Sequence, residues 1–386
     1  MNKEKYLRDI FHETLNIEKK NLSSLATFNK EAQRRSKEDN TKLRGPFAID
    51  RDRILYSGAY RRYQGKTQVV YFSNLFDEEM SNRSLHTTYV SQVARTIAKI
   101  LKLNLDLTEA IALGHDLGHP PFGHDGEKIL SECCQKYGIG PFYHNIESLY
   151  MVDYISNTGN GINLTFQVRD GIVSHDGEVH DEHLQPDRNK SEADLQEYVK
   201  TRQTEDTTTI PSTLEGCVVR ISDTIAYIGQ DIEDAIRLGF LKREELPHNA
   251  TQLLGSTNSE ILDSLVKSVI LNSYGKDYVA FDKETSDALY ELKNFNYERI
   301  YTHSVIKKEK SAIERGMKIL FEKYLNDIDK EDLDSKIYGH FLNKKCKKYC
   351  NKFSPAEKVR DFIATMTDRY FYEELKQYVL PGRVEE

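Results

Sequence analysis

The sequence contains no tryptophan, only nine prolines and only five cysteines in 386 residues. Such a composition excludes a collagen-like chain, a disulfide scaffold or a wholly disordered polypeptide. The cysteines, Cys133, Cys134, Cys217, Cys346 and Cys350, are odd in number and form no CxxC pair. They read as isolated thiols, neither a disulfide framework nor a zinc finger. No apolar run approaches the roughly 20 residues that span a bilayer. The opening MNKEKYLRDIFHETLNIEKK lacks the apolar stretch of a secretory signal. These absences predict a soluble, cytoplasmic protein with no membrane partner. A net charge of −7 gives no global attraction to nucleic acid or acidic lipid. A small anionic substrate would therefore need a focused cationic pocket or a metal. What is present is ample material for a core: 38% apolar residues, with 23 Tyr and 16 Phe.

Apolar spacing predicts a predominantly α-helical protein. Residues 1–45 are polar and charged, read as an N-terminal helical and linker segment. In 81–101, His86, Val90, Val93, Ile97 and Ile100 recur at helical spacing behind Ser81 and Asn82, which suit a helix start. Residues 105–119 continue as helix until Pro120, Pro121 and Gly123 break it. Further helices are expected at 145–157, 213–239 and 355–379, the last stopped by Pro381-Gly382. The one strand candidate is VVYF, 69–72. A polar excursion near 174–212 reads as a surface loop or lid. The domain scheme is a core of 46–245 followed by a helical region, 246–386, that completes the site and mediates oligomer contacts.

Chemistry concentrates in GHDLGHPPFGHDGE, residues 114–127. It sets His115, Asp116, His119, His124, Asp125 and Glu127 close together. Imidazole and carboxylate are common metal ligands. His86 lies on the apolar face of its helix, and Asp223 interrupts an apolar stretch. Each alone is ordinary, since a single histidine on an apolar face is usually a satisfied core residue. Together His86, His115, Asp116 and Asp223 make an H…HD…D set able to hold a divalent ion with positions left for water and a phosphate oxygen.

Seven segments carry a family resemblance: RDRILYSGAYRRYQGKTQVV (51–70), NRSLH (82–86), GHDLGHPPFGHDGE (114–127), FYHNIES (142–148), GINLTFQVRDGI (161–172), TLEGCVVRISDTIAYIGQDIEDAI (213–236) and MTDRY (366–370). The chain resembles the HD-domain deoxynucleoside triphosphate triphosphohydrolases, the dGTPase-like dNTPases. The match runs in family order over most of 45–240, whereas 250–355 resembles nothing assigned. The resemblance implies an all-α HD-domain bundle with extra C-terminal helices. It also implies metal-dependent hydrolysis of dNTPs, dGTP among them, to deoxynucleoside and triphosphate.

By the same resemblance, His86, His115, Asp116 and Asp223 bind Mn²⁺, Mg²⁺ or Fe²⁺. His124 is the general acid, Glu127 orients it, and His119 and His144 are further active-site histidines. Arg83 contacts the α-phosphate. Tyr227 packs on the deoxyribose, while Asp231 and Gln64 read the 3′-hydroxyl. Asp223, Tyr227 and Asp231 stand at i, i+4 and i+8, one helical stripe. Arg61, Arg62 and Lys66 are cationic candidates for the outer phosphates or for subunit contacts. The family also implies a homo-oligomer, from dimer to hexamer, and leaves room for a nucleotide activator. The alternatives are another HD phosphohydrolase acting on nucleotide monophosphates or cyclic nucleotides, or a nucleotide- or ssDNA-binding regulator. The Lys-rich stretches 307–323 and 344–352 motivate the ssDNA partner; a solvated helix face is their more ordinary explanation.

Overall fold

Side-chain caps start most of the helices that the apolar spacing predicts. The computed structural model describes residues 3–38, 44–69, 81–176, 183–304 and 308–379. Helices of seven residues or more are numbered in order: α1 Lys3–Asn21, α2 Pro46–Leu55, α3 Arg83–Ile100, α4 Leu105–Gly114, α5 Gly123–Lys136, α6 His144–Tyr150, α7 Phe166–Val173 and α8 Glu192–Thr201. There follow α9 Leu214–Arg237, α10 His248–Leu254, α11 Asn258–Ser273, α12 Lys283–Asn296, α13 Lys310–Asp329, α14 Pro355–Ala364 and α15 Asp368–Val379. Among the described residues there are no strands, only isolated bridges such as Thr67 to Asn82. Of the VVYF candidate, 70–72 lie outside the described residues, as do Pro381 and Gly382.

Asn82 caps α3 by accepting the Leu85 N–H at 3.0 Å. Asn104 caps α4 through the Asp106 and Leu107 N–H groups. Thr213 caps α9 through Gly216 N–H. Helix α9 is buried over nearly its whole circumference and lies against α3, α4, α7 and α11. An apolar stretch with few polar faces can settle only in the middle of a bundle, and this one carries Asp223 there. Helix α13 packs on α5, α14 and α15, so the C-terminal helices back the segment that follows Pro121. The buried apolar residues form one cluster running from Ala26 to Phe371. It crosses both boundaries drawn in the sequence.

Several expectations need correction. Helix α4 ends at Gly114, so His115 and Asp116 sit in the turn after it rather than on its side. The stretch 145–157 is α-helical only to Tyr150 and continues as a π-helical turn, Met151–Ile155. The stretch 355–379 is two helices, because Thr367 recaps the chain by accepting the Tyr370 N–H. The excursion at 174–212 is not simply surface loop: it contains α8 and is tied inward. The buried Lys190 ammonium reaches Asp170 at 2.6 Å, Ser174 Oγ at 3.0 Å and the Ile210 carbonyl at 2.9 Å. Arg220 donates to the Ser174 and Thr209 carbonyls. Its polar sequence reflects buried hydrogen bonds as well as solvation.

Candidate metal centre

Three helices converge on one point. His86 stands on the first turn of α3, Asp223 on the middle of α9, and His115 and Asp116 on the turn leaving α4. That turn lies directly on α6. A Cβ on Gly118 would fall 2.2 Å from Ser148 N and 2.3 Å from the His144 carbonyl oxygen, so only glycine fits. Ser148 Oγ donates to the His115 carbonyl at 2.7 Å and accepts the Gly118 N–H at 2.8 Å. The same contact seats His144.

The polar atoms are close. His86 Nε2 is 3.0 Å from Asp223 Oδ1 and 3.7 Å from Asp116 Oδ2. His115 Nε2 is 3.4 Å from Asp116 Oδ2 and 3.8 Å from Asp223 Oδ1. All four side chains expected as ligands are thus brought together. His175, which the sequence reading did not single out, joins them with Nε2 3.7 Å from Asp116 Oδ1. His119 Nε2 lies 3.3 Å from the same oxygen.

Tautomers follow from the neighbours. His115 Nδ1 faces the Ala112 carbonyl at 2.7 Å, and His175 Nδ1 faces that of Ile172 at 2.6 Å. A carbonyl only accepts, so each Nδ1 carries hydrogen and each Nε2 can turn its lone pair to the cluster. His115 Nε2 is buried without a hydrogen-bond partner. Burial would raise the Asp116 and Asp223 pKa values. The cations and imidazoles around them, chiefly His115 and Arg83 for Asp116 and His86 for Asp223, hold both well below the usual range. Burial, then the His115 and His144 rings, push the His175 pKa down to about 4 and keep it neutral. Asp116 and Asp223 raise the His115 pKa against its burial, so the ring holds a proton in the metal-free protein that an ion would displace. Two carboxylates beside imidazole nitrogens, one of them without a hydrogen-bond partner, fit a divalent cation with mixed N and O ligands.

A second cluster adjoins the first. Glu127 accepts from His144 Nδ1 at 2.9 Å and from the His144 backbone N–H at 2.8 Å, and lies 3.4 Å from His124 Nδ1. Its carboxylate therefore serves His144 more closely than His124, the partner expected for it. Burial would lower the His144 pKa, but the Glu127 charge overrides it and lifts it to about 9. His144 stacks on His119 with ring centroids 4.1 Å apart, and His144 Nε2 meets His175 Nε2 at 3.1 Å. Burial and Arg83 hold His119 neutral. His124 stands at the rim with 74% of its side chain exposed.

The turn between His119 and His124 is strained. Phe122 has φ 68°, a left-handed conformation that costs an aromatic residue about 1–2 kcal/mol. Gly123 follows at φ 56°. A Cβ on Gly126 would strike the Pro121 carbonyl oxygen at 1.8 Å.

Arg83 is buried rather than open to a phosphate. Nη1 pairs with Asp116 Oδ2 at 2.5 Å, Nη2 reaches the Thr67 carbonyl at 3.3 Å, and Nε has no partner. Lys66 is also buried and donates to the His119 and Ala364 carbonyls, so it is a strut and not a free phosphate cation. Arg61 and Gln64 are exposed, and Arg62 is half-buried. Along α9, Tyr227 is half-buried and Asp231 and Asp234 are buried, so the two carboxylates do not form a solvated face. Tyr301, beyond α12, donates its hydroxyl to Asp231 Oδ2 at 2.6 Å. Burial lifts the Asp231 pKa to about 7, with Tyr301 opposing. His175 had one signal in the sequence: His175-Asp176-Gly177-Glu178 repeats the tetrapeptide of 124–127. Tyr301 had none, because its partner is 70 residues away.

An HD domain profile matches residues 83–227, and a phosphohydrolase-associated domain profile matches 279–377. A deoxyguanosinetriphosphate triphosphohydrolase-like protein of Caldanaerobacter subterraneus subsp. tengcongensis is 38% identical, over 96% of this chain and 95% of its own. Those of Clostridium perfringens strain 13 and Desulfatibacillum aliphaticivorans are 35% identical over 95% and 96%, and 34% identical over 88% and 89%, of the two chains. A solved hypothetical protein of Aquifex aeolicus aligns with 85% of this chain and 68% of its own, at 17% identity and TM-score 0.39.

Proposed function

As the chain belongs to the deoxyguanosinetriphosphate triphosphohydrolase-like family of HD phosphohydrolases, we propose that it hydrolyses deoxynucleoside triphosphates, dGTP among them, to deoxynucleoside and inorganic triphosphate. The carrying observation is the convergence of His86, His115, Asp116 and Asp223 at one end of a stripe that continues through Tyr227 to Asp231. The substrate would lie along that stripe, with its first phosphate at the four-residue cluster and its sugar at the far end.

His86, His115, Asp116 and Asp223 would hold the ion, Mn²⁺, Mg²⁺ or Fe²⁺, with His175 beside them. When bound, such an ion supplies Lewis acidity toward a phosphoryl oxygen and acidifies water. Water oxygen joins the α-phosphorus as the bond from phosphorus to the 5′-oxygen breaks. The departing alkoxide is a poor leaving group, so it takes a proton from His124, which the rim position opens to substrate. Such general acid catalysis contributes on the order of 10²–10⁴-fold. Glu127 holds His144 protonated behind it and supports His124 at longer range. The neutral His119 orients water or a phosphate oxygen. Arg83, fixed on Asp116, contributes positive charge at the α-phosphate. Tyr227 leaves no space for a 2′-hydroxyl, while Asp231 and Gln64 read the 3′-hydroxyl. A buried carboxylate left without its hydroxyl partner is costly, which favours sugar discrimination.

Incubating the purified protein with each dNTP and Mn²⁺ or Mg²⁺, with product identification, tests this. Deoxynucleoside and triphosphate are expected. Pyrophosphate with dNMP, or turnover of monophosphates alone, overturns it.

A further inference from the structure

We propose that Asp368, in the C-terminal phosphohydrolase-associated region, is a positioning residue that sets the geometry of the histidine-bearing turn 119–124 and of Arg83. The proposal rests on the reading above that the histidines of this turn face a phosphoryl substrate and that Arg83 lends it charge from its seat on Asp116. Asp368 is buried and opens α15. Its two oxygens receive three donors from two distant segments. Oδ1 accepts the Phe122 N–H at 3.0 Å. Oδ2 accepts the Thr67 N–H at 3.1 Å and the Thr67 hydroxyl.

Each recipient is attached to the site. Phe122 is the left-handed residue that reverses the chain between His119 and His124. A backbone amide in that conformation stays where its acceptor holds it. Helix α15 holds the ring as well, since Phe371 packs edge-on against Phe122 with centroids 5.1 Å apart. On the other segment, the Thr67 carbonyl accepts from Arg83 Nη2 at 3.3 Å, and the Arg83 backbone N–H donates to the Lys66 carbonyl at 3.2 Å. The Arg83 guanidinium then reaches Asp116. One carboxylate thus joins the strained turn to the arginine of the metal cluster. The Lys66 ammonium, bridging the His119 and Ala364 carbonyls, braces the same junction from beside it.

The charge state matters for a simple reason of valence. The Thr67 hydroxyl can donate or accept, but the Phe122 and Thr67 N–H groups only donate, one to each Asp368 oxygen. A carboxylate accepts both, whereas an amide must turn its NH₂ toward one of them. Asp368→Asn keeps volume and shape but breaks one arm of the junction.

The test compares Mn²⁺-loaded wild type, Asp368→Asn and Asp368→Ala, with the exposed Glu373→Gln on the same helix as control. Three quantities are read: kcat and KM per folded molecule, metal content, and amide hydrogen exchange along the chain. Expected for Asp368→Asn is a kcat lower by about 10- to 100-fold, as displacement of catalytic groups by a remote change produces. KM changes much less, metal is retained, and faster exchange is confined to 66–69 and 119–126. Glu373→Gln matches wild type. Unchanged kcat with unchanged exchange in the turn overturns the proposal. So does loss of protection spread evenly over the chain with normal kcat per folded molecule, which would make Asp368 a general stabiliser. If the wild type cleaves no dNTP, the proposed function fails instead, and exchange in the turn still decides whether Asp368 holds it.

Discussion

His144 keeps a proton that burial alone would remove, and this has a consequence for stability. Its folded pKa, about 9, lies above the ordinary 6.5. The Glu127 pair therefore contributes fully below pH 6.5, weakens as pH rises, and is lost through pH 9. Urea midpoints of the metal-free protein should fall between pH 6.5 and 9.5, and that slope should flatten in Glu127→Gln. An identical slope in the variant would assign the titration elsewhere. At the ion itself, Asp223→Ala should abolish Mn²⁺ retention. Turnover should drop by more than about 100-fold, beyond the usual cost of an outer-shell change; metal analysis and initial rates check both.

At this scale the sequence was most informative where residues are neighbours in the chain. His115, Asp116, His119, His124 and Glu127 were visible as one group because one short stretch of chain, 115–127, carries them. What it concealed were meetings across the fold. Glu127 turned out to lie nearer His144 than His124, and Arg83 proved to be locked on Asp116. Both outcomes depend on how α3, α5 and α6 approach one another, which spacing within one segment does not encode.

Among the elements, the contact of the 115–118 turn with α6 is the least forgiving. Gly118→Ala must push the backbone of α6 away, because the methyl would sit 2.2 Å from an amide nitrogen. Overpacking of this kind costs about 1–3 kcal/mol, so chemical denaturation should show a loss in that range, with turnover reduced further by displacement of His144. Helix α9 offers the complementary case. Tyr301→Phe leaves Asp231 one donor short, and kcat/KM for dNTPs should fall about 10-fold while the unfolding midpoint moves little. The central stretch of α9 was legible from its apolar spacing. The start of α3 at Asn82 was legible too, but the breaks at Thr367 and at the π-helical turn Met151–Ile155 were not, since they act through local hydrogen bonds that periodicity ignores. The 174–212 segment misled for a physical reason: buried lysine and arginine satisfied by carbonyls look the same in sequence as solvated ones.

For the molecule as a whole, the ion should be a ligand of the folded state. Cations that bind only the native protein raise stability by about 2.7 kcal/mol at a hundredfold excess over Kd. Adding Mn²⁺ to chelator-treated wild type should raise Tm, and the rise should vanish in Asp223→Ala. No helix among the described residues is long and apolar enough to cross a membrane. The all-helical architecture was readable from the sequence, but which residues of its last third reach the site was not. Apart from MTDRY, 366–370, residues beyond 250 carried almost no chemical signal, yet Arg360 approaches Glu147 at 3.5 Å, Tyr301 holds Asp231, and Asp368, within that motif, grips Phe122.

The order in which these groups leave the ribosome has a bearing on when the enzyme can work. His124 emerges roughly 240 residues ahead of Asp368. At about 5–20 residues per second, roughly 10–50 s of translation separate them. For most of that interval, once His175 has followed, the nascent polypeptide carries every histidine of the centre but lacks the anchor for the bend at Phe122. A product terminated before Asp368 would lack both holds on that bend, the carboxylate on the Phe122 amide and the Phe371 ring against Phe122.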